Sequence, residues 1–512
     1  MKFLFSLGIM NSSEIKNLDS IIKLHAKKNP SKTALIFVDI DKNIEETVTY
    51  HQLDILISKT CNYLKDNNYK KNDKLLIHIP NSIPFVILLL ACFRMGIVAV
   101  TTNPNLTTRE LKYQFMQSGS KSIISMKSNE TINSSLSNVI LNDNTISELL
   151  NLINKFNNKF KPGEVSLTDE ATILFTSGTT NLPKGVISTH SNYINKIKSV
   201  SNILNLNSDD RHYLTLPLFH TNGQYSLLAI LYKGGSAVIC SRFSASNYFK
   251  IATKYKVTLS TLFASTIRML LLSQIHKCEQ NNNIRLIMFA QSVSKQELKQ
   301  WQNRFKINLI QIYGMSETTG MISANPITNP RNMSMGKVLD IYKYRILNEQ
   351  GKNSDSFEAG ELVLLGIQNE TLMKGYINED EATLKTIVNN ELYTGDIVYK
   401  DNEEFIYFVD RKNDVIKRSG ENISTIEIEH VILNHPKVKE VSVVGYPDKI
   451  MDYKIFAFII PKDKEISTKE IQEFCKINLT SYKVPEKIIF VDKFPLTPVG
   501  KIQKYKLKEK YK

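Results

Sequence analysis

Ten consecutive residues, Thr176, Ser177, Gly178, Thr179, Thr180, Asn181, Leu182, Pro183, Lys184 and Gly185, have the make-up of an anion-binding loop. Small residues let backbone N–H groups turn toward one anion, hydroxyls add donors, and a lysine adds charge. The Walker A loop needs G-x-x-x-x-G-K-[ST]. Here Pro183 precedes the lysine and Gly185 follows it, so phosphate would be held by a loop of another kind. A Ser/Thr-rich turn is the plain alternative. Against it, the loop lies between two apolar, strand-like runs at 171–175 and 185–188.

Five more stretches hold residues able to do chemistry. In order they are Pro217-Leu-Phe-His220-Thr-Asn-Gly223; Tyr313, Gly314, Met315, Ser316, Glu317 and on to Gly320; Tyr393-Thr-Gly-Asp396; Asp410-Arg411 through Lys417 and Gly420 to Glu429; and Pro495-Leu-Thr-Pro-Val-Gly500-Lys501. Each has an ordinary reading in isolation. His220 would be a satisfied structural histidine, 313–320 a strand-to-helix turn, 393–396 a turn, and 410–420 a charged loop before a capped helix. Lys501 would be a solvated lysine in a basic tail.

Taken together, and in this order, the six stretches resemble the adenylate-forming (AMP-binding) superfamily: acyl-CoA synthetases, adenylation domains and luciferases. The resemblance runs from about residue 20 to the end. It implies an α/β protein with a large N-terminal multi-lobed α/β domain, residues 1–409, and a small mobile C-terminal α+β domain, residues 410–512, carrying the catalytic lysine. It also implies roles. Thr176 to Lys184 would hold ATP phosphates, with Thr176, Lys184 and His220 serving catalysis and His220 lying between the acyl pocket and the nucleotide. Tyr313, in the Y-G-x-T-E motif with Gly314, Met315 and Ser316, would stack on adenine. Glu317 would help hold Mg²⁺, a hard cation that prefers carboxylate and phosphate oxygens. Asp396 would accept from the ribose hydroxyls, with Arg411 beside it. Lys417 and Gly420 would approach the site for thioester formation, and Lys501 would be the adenylation lysine. The implied co-substrates would be ATP and coenzyme A, and the implied partner a small-molecule carboxylic acid.

Two positions depart from the family pattern. The small Gly-Gly/Ser-Ala-Pro loop before the adenine site reads Phe289-Ala290-Gln291-Ser292-Val293-Ser294 here. Ser292 stays a nucleotide contact on the resemblance, whereas Gln291 would narrow the acyl pocket or line it with an amide, favouring a short or polar acid. Asn413 stands at the hinge, where Asp or Lys is common. Within the superfamily the resemblance is to crotonobetaine/carnitine–CoA ligase-like enzymes. His220, Asn222, Gln224, Arg268, Gln291 and Met315 are candidates for the acid pocket, although Arg268 also reads as solvent-facing. A stand-alone adenylation enzyme loading a separate carrier protein is the alternative reading, and a catalytically silent nucleotide-binding scaffold a third. All of Lys184, Glu317, Asp396, Arg411 and Lys501 are present, which argues against the third.

These residues need elements to position them. The chain of 512 residues is too long for one core. Up to about residue 120 helical patterns alternate with β-rich runs at 33–38 and 74–79, an α/β rhythm. The most apolar stretch, 83–100, contains Arg94 and Gly96 and reads as a buried helix at 84–94 followed by a strand at 97–101, too short to span a bilayer. Residues 127–160 are Asn- and Ser-rich with one helix near 146–156. Ser191 reads as the N-cap of the next helix. In the last hundred residues Ser424…Glu427 and Ser467…Glu470 fit capping boxes, and 441–444 and 453–460 read as strands. The net charge of +15 comes from lysines spread along an Asn-, Ile- and Lys-rich chain. No basic patch calls for nucleic acid, though a positive field suits polyanionic substrates. Five scattered cysteines without a C-x-x-C pair argue against disulfides and for a reducing compartment. No targeting motif is evident, so the expected setting is cytoplasmic, as monomer or homodimer.

Overall fold

The computed structural model describes residues 15–126, 138–176, 183–291, 293–412, 414–418, 421–448, 452–462, 465–496 and 502–511. Two large mixed sheets form the body. One has nine strands, with a parallel centre running Leu309–Met315, Leu286–Ala290, Leu259–Phe263, Arg211–Leu214, Ser236–Cys240 and Thr33–Asp39, and antiparallel edges. The other has seven, ordered Gly375–Tyr376, Gly185–Thr189, Glu170–Phe175, Val98–Thr101, Lys74–His78, Ser122–Met126 and Asn138–Leu141. The helix Ile83–Met95 is buried at every residue and belongs to the core that both sheets share. Ser82 caps its start by accepting from Phe85 N, and Gly96, in the left-handed conformation, ends it. Arg94 is admitted to this apolar helix because it is paired throughout: Nε donates to Asp19 at 2.6 Å, and Nη1 to Ser58 Oγ at 2.8 Å, with Asp54 beyond.

An antiparallel sheet follows, built on the long strand Glu391–Lys400, and its last member is Ile406–Arg411. That strand runs across the expected division at 409/410. Beyond it lies a small α+β unit: a three-stranded sheet of Val438–Asp448, Asp452–Pro461 and Lys487–Phe490, with the helices Thr425–Leu433, Thr468–Asn478 and Lys504–Lys510. It has an apolar core of its own around Ile428, Val443, Ile455 and Ile471. The α/β class, with a large N-terminal and a small C-terminal domain, is therefore observed.

Local details differ from the sequence reading. The N-cap of the helix His190–Ile203 is Thr189, not Ser191. Thr189 forms a full capping box with Asn192, a side chain able both to accept from the cap N–H and to sit at the third helical position. Ser191 lies inside the helix, its N donating to Leu167 O. At Ser424 and Ser467 only the serine half of the expected box forms, each hydroxyl accepting from the third-position N–H. The helix near 146–156 spans Ile146–Ile153, and the strand Asn138–Leu141 precedes it within the stretch read as irregular. Among the described residues no helix is long and apolar enough to cross a membrane.

Candidate active site

The strands Glu170–Phe175 and Gly185–Thr189 are an antiparallel pair, with Phe175 opposite Gly185. Thr176 N donates to Lys184 O at 2.9 Å and closes the base of the connection. The six residues 177–182 between, including Ser177, Gly178, Thr179 and Thr180, lie outside the described residues, as do Ser292, Asn413, Gly420 and Lys501. Lys417 is placed by its backbone, opposite Asn422 in a short hairpin.

Tyr313, Gly314 and Met315 end a strand that turns back antiparallel through Ser316–Thr318 into Gly320–Ala324. Close packing at this turn requires glycine: a Cβ on Gly314 would lie 2.2 Å from Gly320 O. Gly314 is exposed and Tyr313 half-buried, so the outer face of the segment is open, while Glu317 is buried at 8% exposure. Glu317 Oε1 accepts from Tyr376 OH at 2.8 Å. Lys184 Nζ sits 5.1 Å from the centre of the same tyrosine ring, a cation–π distance. Burial, and then the neighbouring Glu317, hold the Tyr376 phenol well above its ordinary pKa, so it stays a donor.

Register explains the second cluster. Asp396 and Arg411 are direct cross-strand partners, and Arg411 Nε and Asp396 Oδ1 form an ion pair at 2.7 Å. Tyr313 OH donates to Asp396 Oδ2. Asp396 is fully buried by virtue of the alternation along Glu391–Lys400, whereas Arg411 reaches solvent with 43% of its side chain exposed. Burial, followed by the Asp396 charge, pushes the Tyr313 hydroxyl far above the usual phenol range. Between the two clusters lies a cleft of about 360 Å³, lined by Glu317, Tyr376, Thr394, Gly395, Arg411 and Lys412.

The donor set fits Mg²⁺. Glu317 is a buried carboxylate lining the cleft, with Glu361 on its wall, and among the described residues no group of three His, Cys, Asp or Glu side chains could hold a metal ion by itself. A metal held there would take its remaining ligands from substrate phosphates and water, the usual arrangement for Mg²⁺.

His220 is the N-cap residue of the helix Thr221–Tyr232, half-buried and 4.5 Å from the Phe219 ring. The helix starts close against the preceding chain: a Cβ on Gly223 would meet Pro217 O at 2.3 Å. Two of the pocket candidates are structural. Gln224 is fully buried, donates to Thr101 Oγ1 and Leu218 O, and accepts from Tyr193 OH. Arg268 Nε donates to Glu297 at 2.6 Å, tying two helices together. Gln291 is half-buried just past the strand Leu286–Ala290 and holds φ at +76°, in the left-handed region that favours glycine. Tyr376 was missed by the sequence reading. Its signal, Gly375-Tyr376, is a dipeptide of no chemical distinction until the fold sets it beside Glu317.

A hairpin whose connection is rich in Ser, Thr and Gly, a buried carboxylate tied to it through Tyr376, and a Tyr–Asp–Arg cluster at the same cleft have the chemistry that a nucleotide-using enzyme needs. Residues 22–377 match the AMP-binding enzyme family, and residues 427–501 match the AMP-binding enzyme C-terminal domain. The chain belongs to the AMP-binding enzyme family, and it is an adenylate-forming enzyme of the acyl-CoA synthetase type. More particularly, it is similar to the crotonobetaine/carnitine–CoA ligases of Citrobacter koseri (31% identical, covering 93% of this chain and 96% of the relative) and Proteus mirabilis (30%, 92% and 95%). Among solved structures it resembles o-succinylbenzoate CoA synthetase from Bacillus subtilis in complex with its acyl-adenylate intermediate. That match has a TM-score of 0.83 at 28% identity and covers 96% of this chain and 98% of the other. An anthranilate CoA ligase bound to anthranoyl-AMP shares the fold, with a TM-score of 0.87 at 24% identity over 98% of this chain and 99% of that one.

Proposed function

We propose that the cleft activates a small, polar carboxylic acid, with crotonobetaine and carnitine the first to test. The enzyme forms an acyl-adenylate from acid and ATP, releasing pyrophosphate, and then a thioester with coenzyme A, releasing AMP. Glu317 and Arg411, from separate chain segments, line one cleft, with Lys184 joined to it across the Tyr376 ring and Asp396 behind Arg411, and this grouping supports the proposed site. Similarity to the crotonobetaine/carnitine–CoA ligases and the amide of Gln291 support the choice of acid.

In the first step a carboxylate oxygen attacks the α-phosphorus and the bond to pyrophosphate breaks. An anion must approach a polyanion, so the residues' task is to neutralise and align. Lys184 and the donors of 176–184 take the phosphates, Tyr313 faces adenine, and Asp396 with Arg411 holds the ribose. Mg²⁺, when bound at Glu317, supplies further charge neutralisation on the phosphates. Lys501 adds a cation near the reacting oxygens, and its loss costs on the order of 10²-fold or more in adenylation. In the second step the thiol sulfur attacks the acyl carbon and the bond to AMP breaks; Lys417 and Gly420 belong to the segment that serves it. The division into a unit of residues 1–409 and a unit of residues 410–512 carrying Lys501 is part of the same proposal. So is a cytoplasmic setting, which the five free cysteines support.

The test is pyrophosphate release with ATP and Mg²⁺ across a panel of acids, with and without CoA, beside Lys501→Ala. Release that depends on one acid, rises with CoA and collapses in the variant supports the proposal. Release indifferent to CoA moves the acceptor to a carrier protein. Absence of release with every acid, despite ATP binding, counts against the enzyme reading.

A further inference from the structure

We propose that Tyr376 is a positioning residue of the activation step, a shared support that fixes the Glu317 carboxylate and the Lys184 ammonium relative to each other. The inference rests on the reading of Glu317 and Lys184 given above and adds a residue to it.

Three backbone bonds make the segment 373–377 a clasp between the phosphate hairpin and the Glu317 turn. Met373 N donates to Glu317 O at 2.9 Å, Lys374 N to Ile187 O at 2.9 Å, and Ile377 N to Gly185 O at 2.8 Å. Within the clasp Tyr376 pairs across from Val186, two residues beyond Lys184. Its own N donates to Thr383 Oγ1 at 2.9 Å, which anchors it to the helix Asp380–Thr386. The side chain then serves both neighbours. The hydroxyl donates to Glu317 Oε1 at 2.8 Å and the ring lies beneath Lys184 Nζ at 5.1 Å, with the tyrosine only 8% exposed. A carboxylate so held meets an incoming hard cation with its orientation already set, so less conformational freedom is lost on binding. Because hydroxyl and ring act on different partners, two substitutions separate them.

The full-length protein is compared with Tyr376→Phe, which removes only the hydroxyl, and Tyr376→Leu, which removes ring and hydroxyl. Mn²⁺ binding is read by electron paramagnetic resonance in the presence of α,β-methylene-ATP, and nucleotide binding is read separately in EDTA. Tyr376→Phe is expected to weaken Mn²⁺ binding about five- to tenfold, the loss of one hydrogen bond to a charged group with partial compensation, and to leave metal-free nucleotide affinity unchanged. Its pyrophosphate-release rate recovers to within about twofold at saturating Mg²⁺. Tyr376→Leu is expected to weaken metal-free nucleotide binding as well, by about threefold, through the lost cation–π contact. Wild-type Mn²⁺ affinity in Tyr376→Phe overturns the proposal. So does a loss that excess Mg²⁺ does not restore and that tracks a fall in melting temperature. A wild-type protein that binds no nucleotide overturns the functional reading itself, a different failure from an active wild type with an indifferent phenylalanine variant.

Discussion

The proposed ribose contact predicts a specific defect in Asp396→Asn. The side chain keeps its shape and loses its charge. Its buried Oδ2 now accepts from Tyr313 OH, and its Oδ1 is ion-paired with Arg411 Nε at 2.7 Å; an amide nitrogen must oppose one of those two groups. Breaking a buried ion pair costs about 3–5 kcal/mol. Arg411, 43% exposed, can turn its charge to water, which brings the expected loss of stability down to about 1–3 kcal/mol. For nucleotide binding the missing term is a hydrogen bond to a charged acceptor, about 1.5–3 kcal/mol, equivalent to roughly 10- to 150-fold in affinity. The assay is acid-dependent pyrophosphate exchange, giving a KM for ATP and for 2′,3′-dideoxy-ATP on both proteins. If Asp396 holds the ribose hydroxyls, wild type loses affinity on going to the dideoxy nucleotide and Asp396→Asn loses little more. The two penalties overlap because they remove the same contact. Penalties that multiply, or a KM for ATP within twofold of wild type, would refute the reasoning.

Arg94→Met should destabilise the fold by about 3 kcal/mol, the low end for a broken buried pair, because Asp19 loses the buried guanidinium and keeps only the half-exposed Lys23 at 2.7 Å; urea unfolding checks this, and adding Asp19→Asn should recover part of the loss. Burial lowers His78, His190 and His212 to about 4, below the unfolded value near 6.5. The unfolded chain therefore binds more protons between pH 4 and 6.5, and stability falls as pH drops through that window, with about three protons taken up from this source. His212→Asn should flatten the pH dependence of the melting temperature by about one proton; an unchanged slope tells against the assignment. Lys196 is fully buried, with Nζ donating to Met321 O and to Tyr342 OH, and burial holds it well below its ordinary value. Lys196→Met should cost about 1–3 kcal/mol for the carbonyl left without its donor. Because the folded pKa is depressed, wild-type stability gains as pH rises toward the unfolded value of about 10.4. The gap between wild type and variant should thus widen from pH 7 to pH 9.5 in thermal melts.

Strands and helices with a strong period were legible to within a residue or two. The buried run at 171–175 is the strand Glu170–Phe175, and the helix read at 84–94 is Ile83–Met95. The motifs announced themselves because phosphate, ribose and hard-cation chemistry admit few residue types at fixed spacing. What escaped depended on partners far along the chain. Gln224 reads as a polar candidate for a pocket, yet its amide is consumed by Thr101, Leu218 and Tyr193. Lys196 reads as one more solvated lysine in a lysine-rich chain, and only its helix's place behind the strand Gly320–Ala324 buries it. Tyr376 acquires its role across 59 residues of sequence. Short local signals were also ambiguous in phase, as at Thr189, where two hydroxyl residues compete to begin one helix and the partner three residues on decides.

On the proposed role of Gln291 in the acid pocket, two selective pressures oppose each other at this position. A side chain at φ +76° costs roughly 1–2 kcal/mol that glycine would not incur. A library randomised at this codon and sorted only for heat tolerance should therefore drift to glycine and asparagine. Sorted for turnover of the native acid, it should return to side chains that shape the pocket. Position 291 thus acts as a readout of which demand a lineage, natural or evolved in the laboratory, has been answering.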